Sequence, residues 1–299
     1  MNISNLYSTI DTQVLGEAFR VIIQSPISLI EGSLEEKQKE LHGKFDKEKQ
    51  LLLNEPRGHR GINGGIIFSS SEVSYELVFF SHPGSIIFKI EGVVASLTAL
   101  LETGNLIPNE DNVYQVRTAY GDYLLQAEFH GQQVTSIEIE MSQEEVTCQN
   151  KQSSIYSICG RKYGVKGLPN HLSSINLKNL QELELWGKSE LQRHIEELDG
   201  LLIVEKIRNN HYRTVTFEKD GYIRRTPGID SSDVLLKVFA NEIQNDKPVK
   251  NETIFGSVLI ANKDQDMNVN RYQIRPFITA SQKFVLDPED PLPAGFLIK

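Results

Sequence analysis

The chain has 299 residues, 39% hydrophobic and 24% charged, the make-up of a soluble protein long enough for one large domain or two medium ones, and two is the better expectation. A formal charge of -9, with Arg224-Arg225 too short a basic run to matter, argues against nucleic acid and anionic membrane as partners. No apolar stretch approaches the roughly 20 residues that span a bilayer, and Met1 to Asp11 lacks a secretory layout, so a cytoplasmic location is expected.

Short β-type runs alternate with helical stretches in the first half, which points to mixed α and β architecture. Ser33-Leu34-Glu35-Glu36 is a capping box and starts a helix, whose charged face from Lys37 to Lys49 reads as solvated surface. Pro56 and the glycines after it end that stretch. A second helix begins near Glu91, with a stripe of Val94, Leu97, Leu100 and Leu101, and stops at Gly104. From Tyr114 to Met141 three runs broken at Gly121-Asp122 and His130-Gly131 predict an antiparallel meander. The polar stretch from Glu144 to Ser154 marks the crossover between domains. Beyond it the pattern predicts a helix over 188–198 and strands over 201–206, 212–217 and 222–225. A last helix is capped by Asp230 or Ser231, takes Asp233 near its positive end, and buries Val234, Leu235, Val238 and Phe239.

Cys148 and Cys159 are too few for a disulfide framework and do not form a CxxC pair, so each reads as a small buried side chain. The histidines are scattered without metal-ligand spacing, and the glycines from Gly58 to Gly65 lack the strand and helix context of a phosphate loop. Neither a metal nor a covalent cofactor is expected.

Five ordered segments resemble the proline racemase family, which also holds hydroxyproline epimerases and trans-3-hydroxyproline dehydratases. They are Asp11 with Gly16-Glu17-Ala18-Phe19-Arg20-Val21, then Glu55-Pro56-Arg57-Gly58-His59, Ala99 to Gly104, Arg225-Thr226-Pro227, and Asp287-Pro288-Glu289-Asp290-Pro291-Leu292 with Gly295-Phe296. The resemblance implies an α+β fold like diaminopimelate epimerase: two similar domains, each a curved, mostly antiparallel sheet around a central helix, with a cleft between them. The first domain is expected over 1–148 with 281–299 returning to it, the second over 149–280. Members of that family are often homodimers and use no pyridoxal phosphate.

The family resembled here moves an α-proton with two cysteines, one at the start of each central helix, where the helix dipole and free N–H groups favour thiolate and hold a carboxylate. Against its Cys-Gly-His-Gly this chain has Lys89-Ile90-Glu91-Gly92; against its Asp-Arg-Ser-Pro-Cys-Gly-Thr-Gly it has Arg224-Arg225-Thr226-Pro227-Gly228-Ile229-Asp230-Ser231. Lys89 and Gly228 thus stand where the thiols belong, and Arg224 reverses the charge of an aspartate that would contact the substrate ammonium. Ile90, Ile229 and Ser231 put side chains where glycines would let a ligand approach. Milder departures are Gln13 for a histidine and Ala280 for a glycine.

The sequence therefore predicts loss of proline and hydroxyproline chemistry, with a small amino-acid-like or carboxylate ligand bound by Gly92, Arg224, Gly228, Ile229 and Ser231. The alternative is an active isomerase or lyase without a cofactor, built from Lys89, Glu91 and Asp230, with Lys89 a buried base rather than an inert side chain and the two acids more than helix-end charges. A third reading is a protein-interaction role with a filled cleft. For Glu55 to His59 the bland reading is a turn in which Arg57 pairs with a carboxylate; the functional one is an element bordering the cleft.

Overall fold

The computed structural model describes residues 5–143, 146–150, 154–194, 196–244, 247–264, 266–287 and 289–297. In chain order the elements are β1 (Asn5–Val14), β2 (Glu17–Gln24), α1 (Leu34–Gly43), α2 (Asp46–Leu53), β3 (Ile62–Phe68), β4 (Tyr75–Phe80), α3 (Ile90–Glu102), β5 (Val113–Thr118), β6 (Gly121–His130) and β7 (Gln133–Ser142). They continue with β8 (Thr147–Asn150), β9 (Ile155–Ile158), β10 (Arg161–Gly167), α4 (Leu180–Arg193), β11 (Gly200–Arg208), β12 (His211–Glu218), α5 (Ile229–Val238), β13 (Val249–Thr253), β14 (Val258–Asp264), β15 (Val269–Ile274) and β16 (Phe277–Leu286). The chain divides into two compact units, Met1–Ile137 with Arg275–Lys299, and Glu138–Ile274. Of the stretch where the sequence places the crossover, residues 144, 145 and 151–153 lie outside the described ones.

In the first unit the strand order is β16-β1-β2-β3-β4-β5-β6 and then β7, in which the boundary falls, and β2/β3 and β4/β5 are parallel. In the second it is β8-β9-β10-β11-β12-β13-β14-β15, with β10/β11 and β12/β13 parallel. A parallel pair needs a crossover connection, and helices supply each one. The pairs α1–α2 and α3 serve the first unit, and α4 and α5 serve the second at the corresponding places. Each unit is therefore a mostly antiparallel sheet with one apolar helix against it, an α+β design used twice.

The two central helices are the core. Every residue of α3 from Ile90 to Leu101 is buried, and so is α5 from Ile229 to Leu236. A helix apolar all round is stable only when other elements cover it, and β1, β2, β3 and β16 pack on α3. Gly92 makes one such contact close: a Cβ there would lie 2.6 Å from the Phe19 ring and 2.7 Å from that of Phe79. At the far side of the first unit Arg20, 2% exposed, forms two 2.7 Å bonds with Asp11 and lies 4.3 Å from the centre of the Phe284 ring.

The capping box holds, since Ser33 Oγ accepts from Glu36 N and Ser33 N donates to Glu36 Oε2. The meander and α3 also fall where the sequence puts them. Several local expectations change. The charged run after the capping box is two helices broken at Phe45, with φ of 61°, and it is not wholly solvated. Gln38 is buried against the backbone of Phe79, and buried Lys49 donates to His42 O at 2.8 Å. The helix expected over 188–198 is α4, which starts at Leu180 after Asn176 accepts from the amides of Lys178 and Asn179. Gly187 fits inside it because the Phe217 ring occupies the space a Cβ would need. The strand expected over 222–225 is one bridge, Phe217 with Ile223. Gly228 rather than Asp230 or Ser231 is the N-cap of α5, and of its expected stripe Val234 and Leu235 are buried while Val238 and the C-cap Phe239 are half-buried. Neither cysteine is buried: Cys148 is exposed and Cys159, at φ of 49°, is half-buried in a turn. No helix among the described residues is long and apolar enough to cross a membrane.

Candidate functional site

The start of each central helix is where the sequence concentrates its candidate residues, and each has its own geometry. Lys89 is the N-cap of α3, in extended conformation and without a side-chain capping bond. Its side chain turns into the first unit, where it is 6% exposed and forms an ion pair with Glu17, itself 3% exposed. Glu17 is the first residue of β2, placed by the Leu15-Gly16 turn, whose φ values of 55° and 98° suit a tight hairpin. Glu91, one residue into the helix, is buried as well, and Gly92 is pressed on the Phe19 and Phe79 rings. The pairing of buried Lys89 with the Glu17 carboxylate meets the demand that a charge removed from water be compensated.

The start of α5 is more heavily occupied. Arg224, 1% exposed, donates from Nη1 to Asp230 Oδ1 at 2.5 Å, with its Nε 3.5 Å from Glu218 Oε1. Arg161, the first residue of β10, reaches Asp230 Oδ2 at 2.8 Å and Glu218 Oε2 at 2.6 Å. The Tyr163 hydroxyl donates to Asp230 Oδ2 at 2.5 Å. Two guanidinium groups and two carboxylates thus neutralise one another. Burial opposes the charge on Asp230, but Arg224 and Arg161 outweigh it and hold the carboxyl well below its ordinary value. Burial drives the Tyr163 phenol well above its own.

Gly228 sits against this cluster at φ of 74°. A Cβ there would come within 2.5 Å of Ser231 Oγ, 2.9 Å of Arg224 Nη1 and 2.9 Å of Asp230 Oδ1. Ser231 Oγ donates to the Pro227 carbonyl, and Ile229 is fully buried in the core. Of the sequence candidates, then, Lys89, Glu91 and Gly92 gather in the first unit, and Arg224, Gly228, Asp230, Ile229 and Ser231 in the second. Sequence reasoning missed the partners: Glu17, Arg161, Tyr163 and Glu218. The available signal was a repeated hairpin, Leu15-Gly16 before Glu17 and Cys159-Gly160 before Arg161.

The most distinctive motif of the first half closes the chain. Arg57 Nη2 pairs with Asp290 at 2.8 Å, Glu55 and Phe296 exchange backbone bonds of 2.9 and 3.0 Å, and Asn54 Nδ2 donates to Ala294 O at 3.0 Å. Gly295 is required, since a Cβ would lie 2.2 Å from Glu55 O. This is the turn with Arg57 on a carboxylate; Pro288 of the C-terminal motif lies outside the described residues. Among the described residues no group of three or more His, Cys, Asp or Glu could hold a metal ion.

The sequence model of the proline racemase family matches residues 9–152. A trans-3-hydroxy-L-proline dehydratase of Bacillus cereus is 27% identical over the whole of both chains, and a proline racemase of Acetoanaerobium sticklandii is 24% identical, again over the whole of both. Among solved structures, a hydroxyproline epimerase from Agrobacterium vitis with bound trans-4-hydroxy-L-proline superposes with a TM-score of 0.81 at 16% identity, covering 100% of this chain and 96% of that one.

Proposed function

In a proline racemase-like chain, related to that family over its whole length, we propose that racemase, epimerase and dehydratase activity toward proline and hydroxyproline has been lost, while a small amino-acid-like or carboxylate ligand is still bound. The observation that carries this reading is the space at Gly228, where Ser231, Arg224 and Asp230 stand where any side chain would begin. At the position that the resemblance gives to a thiol, a side chain would have to displace Ser231, Arg224 and Asp230. Lys89 supports the same reading, because its ammonium is tied to Glu17.

Proton transfer at an α-carbon needs an acid or base placed on the reacting atom. With both thiol positions changed, incubation with L-proline, trans-4-hydroxy-L-proline or trans-3-hydroxy-L-proline in D2O should give no α-deuteration, racemisation or dehydration. Deuterium at the α-carbon, above that seen without protein, would overturn the reading. A thermal-shift series over the same compounds and small carboxylates checks the binding half, since any ligand of the native state raises stability.

One observation favours a second reading. Lys89, Glu17 and Glu91 place three buried ionisable groups at one helix start, a set that could serve an isomerase or lyase. Asp230 is a poor third member, since both its oxygens already accept from Arg161, Tyr163 and Arg224. Ligand-protected labelling of Lys89 by an amine reagent near neutral pH would support this alternative, and an inert Lys89 would count against it.

A further inference from the structure

We propose that a cavity in the first unit, away from both helix starts, binds an amino acid with an apolar side chain. The cavity has a volume of about 280 Å3 and is lined by Tyr7, Leu51, Leu286, Pro293 and Ala294, with Lys47 and Glu48 completing the wall. Tyr7 and Leu51 are 0% and 1% exposed, so its floor belongs to the core of β1 and α2. An apolar cavity of about 150 Å3 already takes a benzene-sized guest, so this one has room for a ring or branched chain and a short polar head.

The polar part of the lining defines that head. Lys47 and Glu48 are neighbours in the first turn of α2, and neither forms an ion pair among the described residues, whereas adjacent Lys49 is paired with Asp46. Adjacent helical residues point about 100° apart, so the two charges cannot neutralise each other readily, yet both border the same cavity. A ligand that satisfies both carries a carboxylate for Lys47 and an ammonium for Glu48 on an apolar body. Lys47 is exposed and Glu48 half-buried, so a purely aliphatic guest would gain nothing from either charge and a simple carboxylate nothing from Glu48.

The far wall is the returning C-terminal segment, fastened by the Asn54 bond to Ala294 and the Glu55 pairing with Phe296. The walls that meet in the cavity are thus strand, helix and tail of one unit, and the inference stands whether or not the helix starts retain any chemistry.

The test is calorimetric and thermal-shift titration of the full chain with L-leucine and L-phenylalanine beside 3-phenylpropionate, phenethylamine and indole. The expected result is saturable binding in which the zwitterions bind best. Lys47→Ala should weaken it about three- to fivefold, as removal of an exposed ion pair does. Ala294→Trp and Leu51→Trp, filling the cavity from the tail and from the floor, should each abolish it; the tail variant keeps the test sound if the floor variant does not fold. No binding by any probe would overturn the proposal, and so would binding that survives Ala294→Trp unchanged. Indole binding as tightly as phenylalanine would overturn the recognition of the charged head. None of these variants touches Lys89 or Gly228, so failure here leaves the reading of the helix starts where it was.

Discussion

The starts of α3 and α5 occupy the same place in two units of the same topology, and they dispose of charge in opposite ways. In the first unit the strand supplies the acid, Glu17, and the helix start supplies the base, Lys89. In the second the strand supplies the base, Arg161, and the helix supplies the acid, Asp230, with Arg224 and Glu218 completing a quartet. Glu17 and Arg161 each follow a two-residue turn with positive φ at both positions. One scaffold position therefore accepts either sign, provided its partner changes too. What differs is layout: at α3 Lys89 pairs with Glu17 beside the buried Glu91, and at α5 each carboxylate of the network faces two guanidinium groups.

Removing one member of the network should cost most. Asp230→Asn leaves two buried guanidinium groups facing a single carboxylate, and a loss of about 3–5 kcal/mol in urea unfolding is expected. The pH dependence has a definite sign. Because the folded carboxyl titrates below its ordinary 3.8, its contribution is complete above that value and is lost as pH falls below it. Wild type should therefore lose stability below pH 3.8 more steeply than Asp230→Asn; parallel curves would show that Asp230 does not carry the acid sensitivity.

Next in size is Gly228→Cys. Positive φ and the displaced Ser231 and Arg224 together predict a loss on the order of 3 kcal/mol, with no gain of racemase activity. A stable, active Gly228→Cys protein, alone or with Lys89→Cys, would show the helix start to be far more yielding than its contacts imply. The smallest effect is expected at the pair of Lys89 with Glu17. Replacing both members, as in Glu17→Leu with Lys89→Met, should change stability by no more than about 1 kcal/mol, whereas Glu17→Leu alone takes the Glu17 carboxylate away from a buried ammonium and should cost several times more. Equal losses in the single and double variants would show that the pair itself contributes nothing separable.

Much of this was legible in the sequence where the signal is local. The capping box at Ser33, the apolar stripe of α3, the Val234-Leu235 half of the α5 stripe and the turns of the meander are set by residues within a few positions of one another. The departures at Lys89 and Gly228 could be read as well, because they stand inside short motifs. What could not be read depends on distant partners. Nothing near Lys89 announces Glu17, 72 residues away, and nothing near Asp230 announces Arg161, 69 residues away. Lys49 reads as solvated because its sequence neighbours are charged, yet a backbone carbonyl takes its ammonium inside the fold. Likewise Gly187 suggests a helix break until the Phe217 ring is seen to need its missing side chain.

The return of residues 275–299 to the first unit sets an order of events during synthesis. β1 has β2 as one neighbour as soon as the hairpin is made, but its other neighbour, β16, leaves the ribosome only after the whole second unit has been translated. At about 5–20 residues per second, the unit that begins the chain waits for its last strand through the making of another complete sheet. The unit that starts second is thus the one that can finish first.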